Sequence, residues 1–199
     1  MLKFKNLSNY STINHFVTTR NGGCSFDNYE SLNLSFKMGD TNENVNENRA
    51  RVSKHLGVLP ENLYFPDQCH TSNVKIIEGF VTKEFSEIDA IITNLAGIGI
   101  GVLAADCVPI LFFDPDKNVI AAAHAGWRGT VAKITEKVIH SMQVSFGSDV
   151  SAIRVGIGPA ISQKNYEIGE EVKAEIDKIV PRTGAFFKPS SQKNHYLPL

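Results

Sequence analysis

The chain has 199 residues, of which 42% are hydrophobic, 21% charged and 9% aromatic. That length suits one domain whose core needs no disulfide framework, and the composition excludes intrinsic disorder, collagen-like repeats and mucin-like stalks. Twenty Lys+Arg against 21 Asp+Glu leave a formal net charge of −1, which speaks against a nucleic-acid binder, whose surface concentrates positive charge.

Met1-Leu2-Lys3-Phe4-Lys5 lacks the apolar run of a signal peptide. His15 to Thr19 is a β-rich run that ends in the turn Arg20-Asn21-Gly22-Gly23. Asn42 to Leu56 reads as a helix capped by Thr41 or Asn42, with Arg49, Arg51 and Lys54 on its polar side. Leu63 to Phe65, Val74 to Ile77 and Ala90 to Thr93 read as strands. Ile98 to Ala104 and Ile110 to Phe113 are nearly unbroken apolar runs of the kind buried on both faces. The stretch from Leu95 to Phe113 carries one charge, Asp106, but Gly97, Gly99, Gly101 and Pro109 suit a bilayer helix badly. Two strands joined by a turn are expected there, in a soluble protein with no membrane span.

Asp114-Pro115-Asp116-Lys117-Asn118 is a turn leading to a strand from Val119 to Ala123. A helix is predicted from Thr130 to Ser145, with Val131, Ile134, Val138 and Met142 on one buried face. Ile153 to Ile157 is a further strand, and a last helix covers Glu170 to Ile179, stopped by Pro181. Strands and helices mix without regular alternation, so an α+β layered fold with a large mixed sheet is expected.

Three polar residues stand just past strand-like runs: His70, Cys107 and His124. Their spacing matches no local zinc-finger pattern. Their context is more telling. Cys107 follows Ala104-Ala105-Asp106, and His124 lies within Ala121-Ala122-Ala123-His124-Ala125-Gly126-Trp127. Small neighbours leave room for a metal or substrate near the backbone, and two imidazoles with one thiolate suit Zn²⁺ with a fourth position open to water. Each residue also has a plainer reading: Cys107 as a small buried hydrophobe, His124 as a hydrogen-bonded structural histidine, Asp106 as a turn cap, and Arg128 as a cover stacked on Trp127. Cys24, Cys69 and Cys107 are few and odd in number, which fits reduced thiols in a cytoplasmic protein.

Taken together the motifs resemble the YfiH/DUF152 family, whose members have carried laccase-domain, polyphenol oxidase and purine nucleoside phosphorylase labels. The resemblance rests on Asp67-Gln68-Cys69-His70, Asp89-Ala90-Ile91-Ile92-Thr93, Ala105-Asp106-Cys107-Val108-Pro109 and His124-Ala125-Gly126-Trp127-Arg128-Gly129. Thr18 to Gly23, Ser31 to Leu34, Gly39-Asp40, Asn48-Arg49, Gly156 to Pro159 and Tyr166-Glu167 follow in family order. It implies one αββα sandwich domain over residues 1–199, with zinc held by His70, Cys107 and His124. Cys69 stands where the family has an apolar residue and is left out of that site. The family continues past a His-x-Asp-Leu segment, whereas this chain ends at His195-Tyr196-Leu197-Pro198-Leu199. The missing segment is expected to leave a sheet edge that favours self-association or lowers stability.

The resemblance further implies an enzyme that acts on purine nucleosides with phosphate, by phosphorolysis of adenosine, inosine, guanosine or methylthioadenosine and by deamination of adenosine. Asp106, beside a ligand, is the candidate for proton transfer. Arg20 is the first candidate for phosphate and Arg49 the second, with Arg128 as a further substrate-binding residue; an ordinary salt bridge is the plainer role for Arg20. Copper is the alternative metal, in a polyphenol oxidase. A hydrolase editing cell-wall precursors and an inactive shortened homologue are the other readings.

Overall fold

The computed structural model describes residues 1–79, 85–180, 187–191 and 195–198. In chain order the elements are α1 (Lys5–Ser8), α2 (Asn42–Leu56), β1 (Leu63–Tyr64), β2 (Val74–Ile76), β3 (Ala90–Thr93) and β4 (Gly99–Ile100). There follow β5 (Val108–Asp114), β6 (Val119–Ala125), α3 (Trp127–Val131), α4 (Ile134–Phe146), β7 (Arg154–Ile157) and β8 (Ile168–Gly169). The described chain closes with α5 (Glu170–Ile179), β9 (Phe187–Pro189) and β10 (His195–Pro198). Pro181, expected to stop the last helix, lies outside the described residues.

The central sheet has the order β2-β3-β6-β5-β7, with β2 and β3 parallel and the other pairs antiparallel. Residues alternate across it, so its two faces build different cores. Ala90 and Ile92 of β3, Ile110 and Phe112 of β5, and alternate residues of β6 pack on Ile134, Val138 and Met142 of α4. On the opposite face Ile91 joins Tyr64 of β1 and Ile98. β1 pairs in parallel with β4 as a second, two-stranded sheet. Leu63, pointing the other way from Tyr64, packs on Val52 and Leu56 of α2. The layers therefore run α4, five strands, two strands, α2: an αββα sandwich with mixed sheets. A third sheet, β8-β10-β9, is antiparallel throughout.

Helix α2 has the expected bounds. Thr41 is its cap, the hydroxyl accepting from Asn44 N at 3.2 Å, and Gly57 ends it in the left-handed region at φ 87°. Arg49, however, is not on a solvent face. Its guanidinium carbon lies 4.4 Å from the Phe36 ring centre and 4.7 Å from that of Phe65. The predicted helix from Thr130 is two helices: Lys133 adopts φ 62°, which breaks α3 from α4. The apolar run from Ile98 pairs only at Gly99 and Ile100; residues 101–103 are half-buried and 104–106 exposed. There the Gln68 side chain takes the part of a neighbouring strand. Its Nε2 donates to Leu103 O and its Oε1 accepts from Leu103 N, both at 2.7 Å. The β-rich run from His15 reduces to one bridge between Leu2 and Val17. Among the described residues no helix is long and apolar enough to cross a membrane.

Candidate metal centre

β6 faces α4 with Ala123 and Ala125, so His124 between them points to the opposite side of the sheet, where it is buried. Asp89 precedes β3, the neighbour of β6, and its carbonyl accepts from His124 N at 2.8 Å. The same residue holds the ring: Asp89 Oδ1 is 2.8 Å from His124 Nδ1. That leaves Nε2 as the nitrogen of His124 free to bind a metal, the carboxylate–histidine arrangement common behind metal ligands.

Asp89 also organises the second histidine. Its Oδ1 accepts from His70 N at 3.1 Å, and its Oδ2 from Cys69 N at 3.2 Å, Thr71 N at 2.7 Å and the Thr71 hydroxyl at 2.8 Å. One fully buried carboxylate thereby ties the 69–71 loop to the His124 ring. His70 itself takes φ 59°, a conformation costly for a non-glycine residue and stabilised here by that bonding. Burial works to raise the carboxyl's pKa, but the bonds from His124, Thr71 and Cys69 outweigh it and hold Asp89 below the ordinary carboxylate value.

Cys107 arrives from the third direction, at the start of β5. Pairing of Val108 with Ala125 sets Cys107 beside Gly126. The nitrogen, nitrogen and sulfur atoms of His70, His124 and Cys107 all lie within 4.8 Å of one another. The two rings meet edge-on, with centroids 4.9 Å apart. A Cβ on Gly126 would stand 2.8 Å from His70 Cδ2 and 3.1 Å from Cys107 Sγ, so glycine is required where the ligands converge. Burial pushes the Cys107 thiol pKa up, and the negative charges of Asp106 and Asp89 push it further. A divalent cation would reverse that balance by favouring the thiolate. The donor set, the braced His124 and the space at Gly126 all fit a metal ion. Cys69 is exposed and outside the cluster, its Sγ turned to Asp67 O at 3.6 Å.

The other residues singled out from the sequence lie around this centre or apart from it. Asp106 is exposed, next to Cys107, and its carbonyl accepts from Ile161 N. Arg128 stacks over Trp127 at 4.3 Å. Trp127 and Arg128 line a groove of about 510 Å³ whose far wall is α5, through Val172 and Ile179. Arg20 belongs to another loop, where its Nε donates to Glu30 O at 3.0 Å. Arg49 sits between Phe36 and Phe65, its Nε donating to Leu34 O at 2.9 Å. Two residues of the site escaped sequence reasoning. One is Asp89, whose signal in the sequence is a lone carboxylate heading the apolar strand Ala90–Thr93. Tyr166 is the other. Burial raises its pKa, as does the charge of Cys107, while Arg128 lowers it, which puts the phenol in the field of both.

Known proteins resemble the chain over most of its length. The chain matches the family described as "Multi-copper polyphenol oxidoreductase laccase" over residues 14–198. It is 40% identical over 186 residues to the "Purine nucleoside phosphorylase" of Bacteroides thetaiotaomicron, covering 89% of this chain and 69% of that one. It is 37% identical over 171 residues to "Adenosine deaminase RL5" of an unknown prokaryotic organism, covering 82% and 65%. Among solved structures, the Bacillus licheniformis hypothetical protein YfiH superposes with a TM-score of 0.81 at 27% identity, covering 90% of this chain and 70% of that one. With nearly its whole length matched, the chain belongs to the multi-copper polyphenol oxidoreductase laccase family.

Proposed function

We propose that the chain is a zinc-dependent purine nucleoside enzyme, cleaving adenosine, inosine, guanosine or methylthioadenosine with phosphate and deaminating adenosine. The observation that carries the reading is the His70, Cys107 and His124 group braced by buried Asp89. Relatives named purine nucleoside phosphorylase and adenosine deaminase support the substrate class. Two imidazoles and one thiolate are a zinc donor set with one position open. The family's description points to copper, but a multicopper oxidase needs several histidine-rich centres. Among the described residues one group of His, Cys, Asp and Glu is close enough to hold an ion.

When bound, the cation supplies Lewis-acid chemistry beside that open position. The chain's own residues do the rest. In deamination a water oxygen bonds to C6 of the purine, the bond from C6 to the amino nitrogen breaks, and ammonia leaves. Asp106 takes the water's proton and returns it to the departing nitrogen. In phosphorolysis a phosphate oxygen bonds to ribose C1′ and the C1′–N9 bond breaks. The electron pair goes to the purine, which takes up the proton that hydrogen phosphate gives up as its oxygen bonds to C1′. Arg20, Arg49 and Arg128 are the cationic donors available to hold phosphate and nucleoside.

The test is a pair of assays on metal-loaded protein: inosine with phosphate, read as hypoxanthine and ribose 1-phosphate, and adenosine without phosphate, read as ammonia. Turnover in both, lost in Cys107→Ala, is expected. Phenol oxidation with stoichiometric copper and no nucleoside turnover would overturn the reading.

A further inference from the structure

Arg49 is the unusual cation of this molecule. Its position on α2 gives it a solvent face by helical spacing, yet Phe36 and Phe65 flank its guanidinium carbon at 4.4 and 4.7 Å. Only Nε has a hydrogen-bond partner among the described residues, Leu34 O. No carboxylate among them pairs with it. Burial lowers its pKa to about 10, so the side chain still carries its charge at neutral pH. A desolvated guanidinium without a counter-ion is costly, and here its Nη edge keeps four N–H donors for something else. Arg51 shows the contrast. One turn-half further along α2, it is exposed and satisfied, with Nε on Glu47 at 2.8 Å and Nη1 on Gly22 O at 3.2 Å.

The surroundings of Arg49 connect to the metal centre through two segments. Phe65 begins the stretch that ends at His70. Gly101 lies against the Phe65 ring, where a Cβ would come within 2.7 Å of Cε1, and the chain from Gly101 runs on to Cys107. Gln68 and Leu103 bond those stretches together midway. From the other side, Phe36 and Lys37 share one 3₁₀ turn (Phe36–Met38). Phe36 covers Arg49, while Lys37 pairs with Asp67 and feels the charges of Cys69 and Asp89.

We infer that Arg49, clamped between Phe36 and Phe65, is the anion subsite of this enzyme and binds a tetrahedral phosphoryl group through its Nη edge. The inference rests on the nucleoside reading above and deepens it by choosing Arg49 over Arg20. A planar fork held by two rings is prepared for two-point contact with phosphate oxygens. The exposed Arg20, by comparison, sits in a loop where its Nε serves Glu30 O. The phosphoryl group can come from inorganic phosphate or from a nucleoside 5′-monophosphate.

Calorimetric titration of the metal-loaded chain with inorganic phosphate and, separately, with inosine 5′-monophosphate tests this. Wild type, Arg49→Met, Arg49→Lys and Arg51→Met are compared. Met keeps the packing between the rings and removes the charge; Lys keeps the charge and removes the fork. Phosphate affinity is expected to fall at least tenfold in Arg49→Met, severalfold in Arg49→Lys, and less than twofold in Arg51→Met. Phosphate should raise the unfolding temperature of wild type but not of Arg49→Met. Tight binding of the monophosphate with none of inorganic phosphate assigns the subsite to a nucleotide. Unchanged phosphate affinity in Arg49→Met, or an equal loss in Arg51→Met, overturns the inference; should Arg49→Met not fold, unchanged affinity in Arg49→Lys does so. Phosphate bound through Arg49 without cleavage of inosine defeats phosphorolysis and leaves the subsite standing. Cleavage with an unaltered phosphate KM in Arg49→Met does the reverse.

Discussion

Asp89 carries more of the centre than any residue that would touch the metal, because its carboxylate fixes the His124 ring and the His70 loop together. Asp89→Asn keeps the shape but cannot accept all these donors, so metal affinity should fall about 10–100-fold, measured by competition with a chromophoric chelator. Gly126→Ala should weaken the metal as well, because its methyl group meets His70 and Cys107, while the fold seen by circular dichroism stays unchanged. A separate prediction concerns acid. The Ser25 hydroxyl, with Asn33, Asn44 and Thr41 N, holds the Asp40 carboxyl at about 2, against 3.8 ordinarily. Its stabilising contribution is complete above about pH 4 and lost as the pH falls towards 2. Urea unfolding across that window should therefore be less pH-dependent in Asp40→Asn than in wild type. At this scale the three ligand types were legible, since small residues around Cys107 and His124 mark room for a metal. The brace from Asp89 and the ring clamp on Arg49 were not, because each depends on contacts with chain segments distant in sequence.

Elements with a strong local signal came through with their bounds intact. Thr41 and Gly57 bracket α2, and Glu170–Ile179 is helical as its pattern implies. The failures share a cause, which is tertiary contact overriding periodicity. Apolar spacing continues smoothly through Lys133, yet the chain turns there so that Ile134, Val138 and Met142 dock on the sheet. Lys133→Gly should stabilise the protein by about 0.5–1 kcal/mol in chemical denaturation, since glycine adopts the left-handed region without strain. Met142→Ala should cost about 2–5 kcal/mol if α4 closes the core as described. The run from Ile98 failed as a long strand for another reason: beyond Ile100 its backbone partner is the Gln68 side chain, which no strand pattern encodes.

For the whole molecule, the αββα order explains why three distant segments meet. β6 brings His124 to the inner face, the start of β5 brings Cys107, and the loop between β1 and β2 brings His70, all on the side away from α4. The layered class was legible in the mixture of buried runs and amphipathic helices; the meeting point was not, since it depends on strand order. The chain spans 69% and 65% of the length of the two relatives compared with it above. The most direct test of the account is metal stoichiometry by elemental analysis after zinc loading and gel filtration, on wild type and Cys107→Ala in parallel. The account predicts close to one zinc per wild-type chain and a small residue in Cys107→Ala. Equal metal in both proteins, or none in wild type, would contradict it.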